Sequence, residues 1–360
     1  MAFRRPLMFT LLAAAAATTL VAGCSSSGST DNATLTGTST AKIGPLEKTH
    51  LTVYALPTTD SAGLYIAQEL GLFQAAGLTV NIQTAQSAEE VINQQALGKI
   101  DISAGNYVSY IEAQENHDSG VPVTDNDAPQ ALSANLDIFA EASVLNPGFM
   151  GLYVPAGSSI KSLADVKGKT IGINAPDNVA YLMVAALLKA SGISPSAVKW
   201  AYYPFPAMQG ALTSHKIQVA LLAEPFVSIA DETAGFTQLA DVDQGLTENF
   251  PVEGYAVTKQ WAKANPNTLA TFRRVLEEGQ EYADTDRELA EKAMIAQVPG
   301  LTAEYAALLT MEDYPVGPVD DTRLQRVAND MQALAMSSTS LPFVVQQMIG
   351  DGSQGLPGSR

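Results

Sequence analysis

Residues 78–105 decide the fold, because their sequence, LTVNIQTAQSAEEVINQQALGKIDISAG, predicts two strands joined by a helix. The first seven residues alternate apolar and polar side chains, as a half-buried strand does. Ser87 and Glu90 have the spacing of a capping box, which indicates that a helix begins after Ser87. The closing residues, KIDISAG, predict the second strand. We therefore expect a strand, a helix and a parallel strand in this stretch.

The same pattern extends toward the N-terminus. The sequence LTVYAL at residues 51–56 predicts a buried strand, and Asp60 or Ser61 can cap a helix that runs to about Ala76. Together with residues 78–105 this segment completes a βαβαβ unit. Such a unit places its three strands in one parallel sheet with right-handed crossovers.

A second unit of the same kind lies further along the chain. Its predicted elements alternate as KTIGIN (169–174), NVAYLMVAALLKASG (178–192), VKWAYY (198–203), PAMQGALTSH (206–215) and KIQVALLAE (216–224). Two such units predict an α/β protein with two lobes, each with parallel inner strands.

Two extended segments, residues 136–155 and 251–258, lack a helical period. We expect them to carry the chain from one lobe to the other and back. From Asn265 onward the sequence turns helical, in residues 267–283, 288–298 and 321–336. These helices are expected to pack on the first lobe and on the hinge.

The N-terminus predicts a secretory signal peptide with a lipid-attachment site. Two arginines precede an apolar run from Leu7 to about Val21, shorter than the roughly 18 to 20 residues that span a membrane. The sequence LVAGC that follows resembles the lipobox of bacterial lipoproteins, and Cys24 is the only cysteine of the chain. We therefore expect Cys24 to be acylated, an ordinary signal peptide being the alternative. Residues 25–42 are rich in Ser and Thr and predict a flexible tether.

The charge balance excludes several classes of partner. The chain has 37 acidic and 20 basic residues, a formal net charge of −17. Nucleic acids and anionic lipid surfaces need clustered Lys and Arg, so neither is an expected partner. The length exceeds what a single core usually fills, which again predicts two domains.

Several segments together resemble one protein family. They are AGLYIAQELGLFQAAGLTVNI (62–82), ALGKIDISAG (96–105), SIKSLADVKGKTIGIN (159–174), LLAEPF (221–226) and LQRVANDMQALAMSSTSLPFVVQQMI (324–349). In order and spacing they resemble the solute-binding proteins of ABC importers in the sulfonate, nitrate and thiamine-precursor branch, called the SsuA/THI5-like or NMT1-like family. The resemblance implies a bilobal periplasmic-binding-protein fold of the Venus-flytrap, type II class with two crossing strands. It also implies a small-molecule solute and a membrane permease as partners.

The expected organisation follows from these segments. We predict a signal peptide at 1–23, a tether at 24–47, the first lobe at 48–145, the second lobe at 146–252, a return to the first lobe with C-terminal helices at 253–350, and a disordered tail at 351–360. We expect a monomer with no cofactor and no metal, held by its lipid at the extracytoplasmic face of the cell membrane.

The pocket is expected where the carboxyl ends of the parallel strands meet helix N-termini. Four loops meet this condition, and the resemblance implies that all four face the cleft: 56–62, 104–107, 174–178 and 223–226. From them we predict the ligand-binding residues Thr58, Asp60, Ser61, Asn106, Tyr107, Asn174, Asp177, Asn178, Glu224 and Phe226.

Each of these predictions has a structural alternative. The polar residues of loop 56–62 can cap the first helix, those of loop 174–178 can cap a helix of the second lobe, and Tyr107 can be a core residue. Glu224 lies between an apolar strand and Pro225, so it bonds either locally or to a donor on the ligand, and we favour the ligand.

The four loops contain no Lys or Arg, but they contain Asp60, Asp177 and Glu224. This balance favours a neutral or weakly basic heteroaromatic solute, such as a thiamine precursor, with sulfonate, taurine and nitrate as alternatives. An anion would have to rely on helix N-termini and hydroxyls.

Catalysis is not expected. The thiamine-pyrimidine synthases of the resembling family consume an internal histidine with iron, whereas His50, His117 and His215 lie outside the predicted cleft loops. A surface sensory or binding lipoprotein that serves no permease is the other alternative.

Overall fold

The structure is a computed structural model that describes residues 44–123, 132–337 and 342–350. The predicted signal peptide, Cys24, most of the tether and the tail at 351–360 lie outside the described residues. The described chain forms two five-stranded sheets with helices packed around them. None of its helices combines the length and the apolar character that crossing a bilayer requires.

The first sheet takes strands from before and after the segment that forms the second sheet. They are β1 (His50–Ala55), β2 (Thr79–Thr84), β3 (Ile102–Asn106), β4 (Leu136–Val144) and β10 (Pro251–Thr258). Their order is β2-β1-β3-β10-β4. Strand β1 pairs in parallel with β2 and β3, and β10 runs antiparallel between β3 and β4. The prediction of parallel inner strands is therefore confirmed.

The second sheet repeats this plan. Its strands are β5 (Met150–Val154), β6 (Thr170–Ile173), β7 (Lys199–Tyr202), β8 (Val219–Ala223) and β9 (Thr237–Asp241). The order is β7-β6-β8-β5-β9, with β5 antiparallel between β8 and β9. Strand β8, with the sequence VALLA, is buried along its whole length, as a central strand covered on both faces must be.

The chain passes from the first sheet to the second through residues 145–149 and returns through residues 242–250. The extended segment 136–155 is therefore not one strand, because Asn146-Pro147-Gly148 interrupts it. Proline lacks an amide donor, and Gly148 has a φ of 90°. Residues 251–258 belong wholly to the first sheet, so the return crossing precedes them. We call each sheet with its helices the first and the second lobe.

The helices are distributed between the lobes as follows. The first lobe has α1 (Ala62–Glu69), α2 (Leu72–Ala75), α3 (Ala88–Ala96), α4 (Tyr107–Asp118), α8 (Lys259–Ala264), α9 (Pro266–Thr285), α10 (Arg287–Gln297), α11 (Ala303–Ala306) and α12 (Asp321–Ala333). The second lobe has α5 (Val179–Ala190), α6 (Phe205–Thr213) and α7 (Phe226–Ala234).

Two local predictions near the N-terminus need correction. A single helix to about Ala76 is wrong, because Gly71 adopts a left-handed φ of 68° and separates α1 from α2. The capping box is half present. The amide of Glu90 donates to the Ser87 hydroxyl at 3.3 Å, whereas the Glu90 carboxylate accepts from the amide of Gln86.

Helix α9 closes the core of the first lobe by packing tightly on α1. A Cβ atom on Gly279 would overlap the carbonyl oxygen of Gly63, so the close approach of the two helices depends on these glycines. Beside them Phe73 stacks on Phe272 with ring centroids 4.8 Å apart, and Phe139 meets Phe272 edge-on at 6.0 Å. Helix α9, the longest helix of the described residues, is thus part of the first lobe.

Candidate functional site

The carboxyl ends of the parallel strands of the two lobes meet. The amide of Thr59, just after β1, donates to the carbonyl oxygen of Glu224, just after β8, at 3.4 Å. A parallel sheet offers helix N-termini and strand ends at this side, which is where ligands of α/β proteins bind.

Two names describe the surfaces that meet here. The first carboxyl edge consists of residues 56–61, Asn106, Tyr107 and the start of β10. The second carboxyl edge consists of residues 174–178 and 223–226. All of the predicted ligand-binding residues lie on one of these edges.

The loop after β1 is buried and only partly hydrogen-bonded. The alternative that its polar residues cap the first helix does not hold for Thr58 and Ser61, whose side chains make no capping hydrogen bond. The Thr58 Oγ1 and Ser61 Oγ atoms have no hydrogen-bond partner among the described residues. Asp60 instead accepts a hydrogen bond from the hydroxyl of Ser143, on β4, at 2.7 Å. The loop therefore presents two unused hydroxyl groups.

Asn106 and Tyr107 start helix α4. The Asn106 side-chain oxygen accepts from the amide of Ser109 at 2.9 Å and so caps the helix. The Tyr107 ring packs on Gly254, where an added Cβ would lie 2.5 Å from the ring. Its hydroxyl is buried without a partner, and burial raises the pKa of Tyr107 well above the ordinary range. Tyr107 is thus a core residue with an unpaired hydroxyl.

The start of β10 contributes two residues that the sequence analysis missed. Glu253 pairs with Asn106 across the β10–β3 ladder, and its Oε2 atom is buried without a partner. The Tyr255 hydroxyl is also buried and unpartnered. The Ser61 hydroxyl lies close enough to oppose the rise in the pKa of Tyr255 that burial causes, but not in hydrogen-bonding geometry. The available clue was a glutamate inside the otherwise apolar strand PVEGYAVT.

The asparagines of the second carboxyl edge bond to each other and to the backbone. The side-chain amide nitrogen of Asn178 donates to the side-chain oxygen of Asn174 at 3.0 Å. The backbone amide of Tyr181 donates to the side-chain oxygen of Asn178 at 3.2 Å. Asn178 thereby caps α5. Asp177 between them is exposed, with a left-handed φ of 47°. The capping alternative thus applies to Asn178 and not to Asp177.

Glu224 is bonded to protein donors on both of its oxygens. Oε1 accepts from the Ser228 hydroxyl at 2.7 Å and from the amide of Thr310 at 3.0 Å, and Oε2 accepts from the amide of Ser228 at 3.1 Å. Burial raises the pKa of Glu224 to about 7, against the lowering effect of these hydrogen bonds. The arrangement favours the alternative in which Glu224 organises its own turn and ties it to the segment before α12.

Aromatic side chains flank the second carboxyl edge. The half-buried Phe226 stacks on Phe205 with ring centroids 6.1 Å apart and planes 13° from parallel. Tyr181 packs on Trp200 at 4.9 Å. Flat apolar faces of this kind can cover a planar solute.

Acidic side chains face each other across the two lobes near Asp177. Burial raises the pKa of Glu112, on α4, to about 7, and the carboxylate of Asp177 adds to this rise. The pKa of Glu89, on α3, is raised by burial and to a smaller extent by Asp177. Carboxyl groups of both lobes therefore lie close enough to act on each other electrostatically.

Two cavities of the first lobe lie away from these edges. One, of about 720 Å³, runs along the charged face of α9. The other, of about 540 Å³, is lined by Trp261, Thr258 and their neighbours at the opposite end of β10. Neither cavity is lined by an unpaired hydroxyl group of the first carboxyl edge.

Sequence comparison identifies the family. The chain belongs to the NMT1-like family, which matches residues 44–298. It is 27% identical over 310 residues to the nitrate/nitrite binding protein NrtA of Nostoc sp. strain PCC 7120, a match that covers 81% of this chain and 69% of that protein. The family resemblance inferred from the motifs is therefore confirmed.

Solved structures confirm the fold. The alkanesulfonate-binding protein SsuA from Xanthomonas axonopodis pv. citri, bound to MOPS, has a TM-score of 0.66 at 17% identity and covers 83% of this chain and 98% of its own. The periplasmic nitrate-binding protein NrtA from Synechocystis PCC 6803 has a TM-score of 0.67 at 16% identity, with 86% of each chain covered. The predicted bilobal periplasmic-binding-protein fold is confirmed.

These relatives are substrate-binding proteins rather than enzymes. The same fold also occurs in the desulfurization enzyme DSZB, with a TM-score of 0.59 at 13% identity over 85% of this chain and 98% of that one. Likeness at this level of identity concerns the fold alone, so function has to be argued from the site.

Proposed function

We propose that this chain is the solute-binding component of an ABC importer and captures a small organic solute by closure of its two lobes. The observation that carries the proposal is the set of buried, unpaired hydroxyl and carboxyl oxygens on the first carboxyl edge, directly opposite the second lobe. Buried polar atoms without partners are uncommon in native proteins and call for a ligand or water to complete them.

The solute is neutral or weakly basic, with a heteroaromatic ring of the thiamine-precursor kind favoured. The loops of both edges lack Lys and Arg, and the first edge carries Asp60 and Glu253. An anion such as nitrate or an alkanesulfonate, which the named relatives bind, would meet carboxylates there. Planar aromatic faces on the second lobe suit a ring.

A thermal-shift screen of the full chain tests this proposal. The panel contains aminopyrimidines and other heteroaromatic bases, neutral heteroaromatics, taurine, alkanesulfonates and nitrate. A solute present at 100 times its Kd stabilises the native state by about 2.7 kcal/mol. We expect the heteroaromatic group to raise the melting temperature. A rise with nitrate or sulfonates alone would contradict the solute class, and no rise with any solute would contradict the binding role.

Closure takes place about the two crossing segments, residues 145–149 and 242–250. Helix α12 holds the second of them, because the Arg326 guanidinium donates to the carbonyl oxygens of Leu246, Glu248 and Asn249 at 2.7 to 3.2 Å. In lobe closure, two rigid lobes rotate about a few hinge residues. The motion is driven by the better contacts that the solute makes in the closed state. Small-angle scattering should show a smaller radius of gyration with saturating solute, and an unchanged radius would contradict closure.

Membrane attachment through Cys24 is part of the same proposal. Acyl chains contribute about 0.8 kcal/mol per buried CH₂, so two or three chains hold a soluble protein at a membrane. Cys24→Ser should release the protein from salt-washed membranes without changing its affinity for the solute. Retention of this variant on the membranes would contradict lipid anchoring.

A further inference from the structure

Three buried carboxyl groups lie together, two on the first carboxyl edge and one on the segment before α12, which packs beside it. Asp60, Glu253 and Glu312 are 3%, 4% and 3% exposed. Burial raises the pKa of Glu253 and of Glu312 well above the ordinary range, and in both cases the charge of Asp60 adds to the rise. The three residues come from the loop after β1, from β10 and from the segment before α12, so only the folded chain brings them together.

No basic side chain neutralises this cluster. Among the described residues, no Lys, Arg or His donates to Asp60, Glu253 or Glu312. Asp60 accepts from the Ser143 hydroxyl, Glu312 accepts from the Thr59 hydroxyl, and the Asp60 carboxyl lies beside that of Glu312. Arg323, at the nearby end of the cleft, is already paired with Glu141 at 2.7 and 3.0 Å.

Acceptors in the cluster are left open. The Oε2 atom of Glu253 and the Oε1 atom of Glu312 are buried without partners, and so is the hydroxyl of Tyr255 beside Glu253. Proteins keep buried carboxylates by pairing them with a cation or with several hydrogen-bond donors. An N–H cation satisfies both needs at once.

The chemistry of these carboxyl groups favours an organic cation over a metal ion. In the part of the chain that the structure describes, no three His, Cys, Asp or Glu side chains have the arrangement of a metal site. A planar cation with two parallel N–H groups binds carboxylates in a bidentate manner. An amidinium has this form, and so does the protonated edge of an amino-substituted heteroaromatic ring.

We propose that Asp60, Glu253 and Glu312 form a subsite for the protonated nitrogen edge of the solute, and that the solute is therefore bound as an amidinium-like cation. The inference rests on the proposed function, because it names the class of solute that the same cleft would capture. Glu253 and Glu312 supply the open acceptor atoms, and Asp60 supplies additional negative charge.

Acetamidinium and acetamide test the subsite, because they have almost the same shape and differ in charge. The full chain is melted with about 20 mM of each, against equal sodium chloride, which is enough to reveal a millimolar site. Glu253→Gln and Glu312→Gln keep the side-chain shape but cannot ionise, so neither side chain can pair with a cation. Glu281→Gln makes the same change at an exposed position of α9 and is the control.

Acetamidinium should raise the melting temperature of the wild type and of Glu281→Gln, acetamide should not, and the rise should fall at least severalfold in both cluster variants. No rise specific to acetamidinium, or a rise that both cluster variants retain, would overturn the subsite. The solute screen separates this failure from failure of the proposed function: a heteroaromatic that binds equally well to Glu253→Gln leaves the binding role intact and removes the subsite.

Discussion

The two carboxyl edges differ in how their polar groups are satisfied. On the second edge, protein donors reach the side-chain oxygens of Asn174, Asn178 and Glu224. On the first edge, side-chain oxygens lack partners at Thr58, Ser61, Tyr107, Glu253 and Tyr255. Residues 145–250, all of which the structure describes, contain no buried side-chain nitrogen or oxygen without a partner.

This difference indicates a division of labour. An unpaired buried polar group destabilises a protein by about 1 to 3 kcal/mol, and a ligand that supplies the partner recovers that free energy. The buried polar side chains of the second edge already have hydrogen-bond partners in the protein, so this edge needs no rearrangement to cover a solute. We infer that the first lobe recognises the solute and that the second lobe encloses it.

The largest effect is expected from removing a completed group of the second edge. Glu224→Ala takes the acceptor away from the amides of Ser228 and Thr310, which should lower the free energy of unfolding by about 3 kcal/mol. Glu224→Gln, which keeps one acceptor oxygen, should lose less stability and bind solute normally. Urea unfolding and calorimetric titration measure the two quantities. A stable Glu224→Gln variant that binds at least tenfold more weakly would make Glu224 a recognition group.

A smaller and opposite effect is expected on the first edge. Thr58→Val and Ser61→Ala remove hydroxyl groups that have no partner in the protein, so the melting temperature should stay the same or rise. Affinity for the solute should fall by about fivefold to tenfold, the value of one hydrogen bond. The matched control is Asn178→Ala, which removes the cap of α5 and should lower stability by about 1 kcal/mol with little change in affinity. Equal affinities in wild type and both hydroxyl variants would contradict the inference that the first edge recognises the solute.

The smallest effect concerns pH. A carboxyl group whose pKa is higher in the folded than in the unfolded protein favours the folded state below the unfolded value and loses that contribution as pH rises through the folded one. The pKa of Glu112 is raised from 4.5 to about 7 by burial and by Asp177. Stability should therefore decline between pH 4.5 and 7.5, and less so in Glu112→Gln. Parallel melting curves of the two proteins across this range would contradict a raised pKa of Glu112 in the folded protein.

The sequence predicted the fold well because its elements obey local rules. Alternation and capping located β1 and β2 within one residue at each end, and β3 within three. The break at Gly71 was missed because helical periodicity continues through it, and only the left-handed backbone shows that the helix stops. Strand pattern alone does not tell which sheet a strand joins, so the sequence shows the crossing at 145–149 and its flanking strands as one extended segment.

The candidate site was only half predictable. The rule that ligands meet the carboxyl ends of parallel strands pointed to Thr58, Asp60 and Ser61. It could not point to Glu253, because β10 is antiparallel and brings its beginning, not its end, to this edge. Glu312 is still less accessible to sequence analysis, because it lies in an irregular segment 252 residues from Asp60 and only tertiary structure joins them.

A crystal structure of the complex with the best solute of the screen tests the central claim most directly. The account predicts that the polar atoms of the solute lie within hydrogen-bonding distance of first-edge side chains, among them Thr58, Ser61 and Glu253. It also predicts that the hydrogen bonds of Asn178 and Glu224 to protein donors persist, with the second lobe contributing mainly aromatic contacts. Polar contacts made chiefly by Asn174, Asn178 or Glu224, with the first-edge hydroxyls still unpaired, would contradict it.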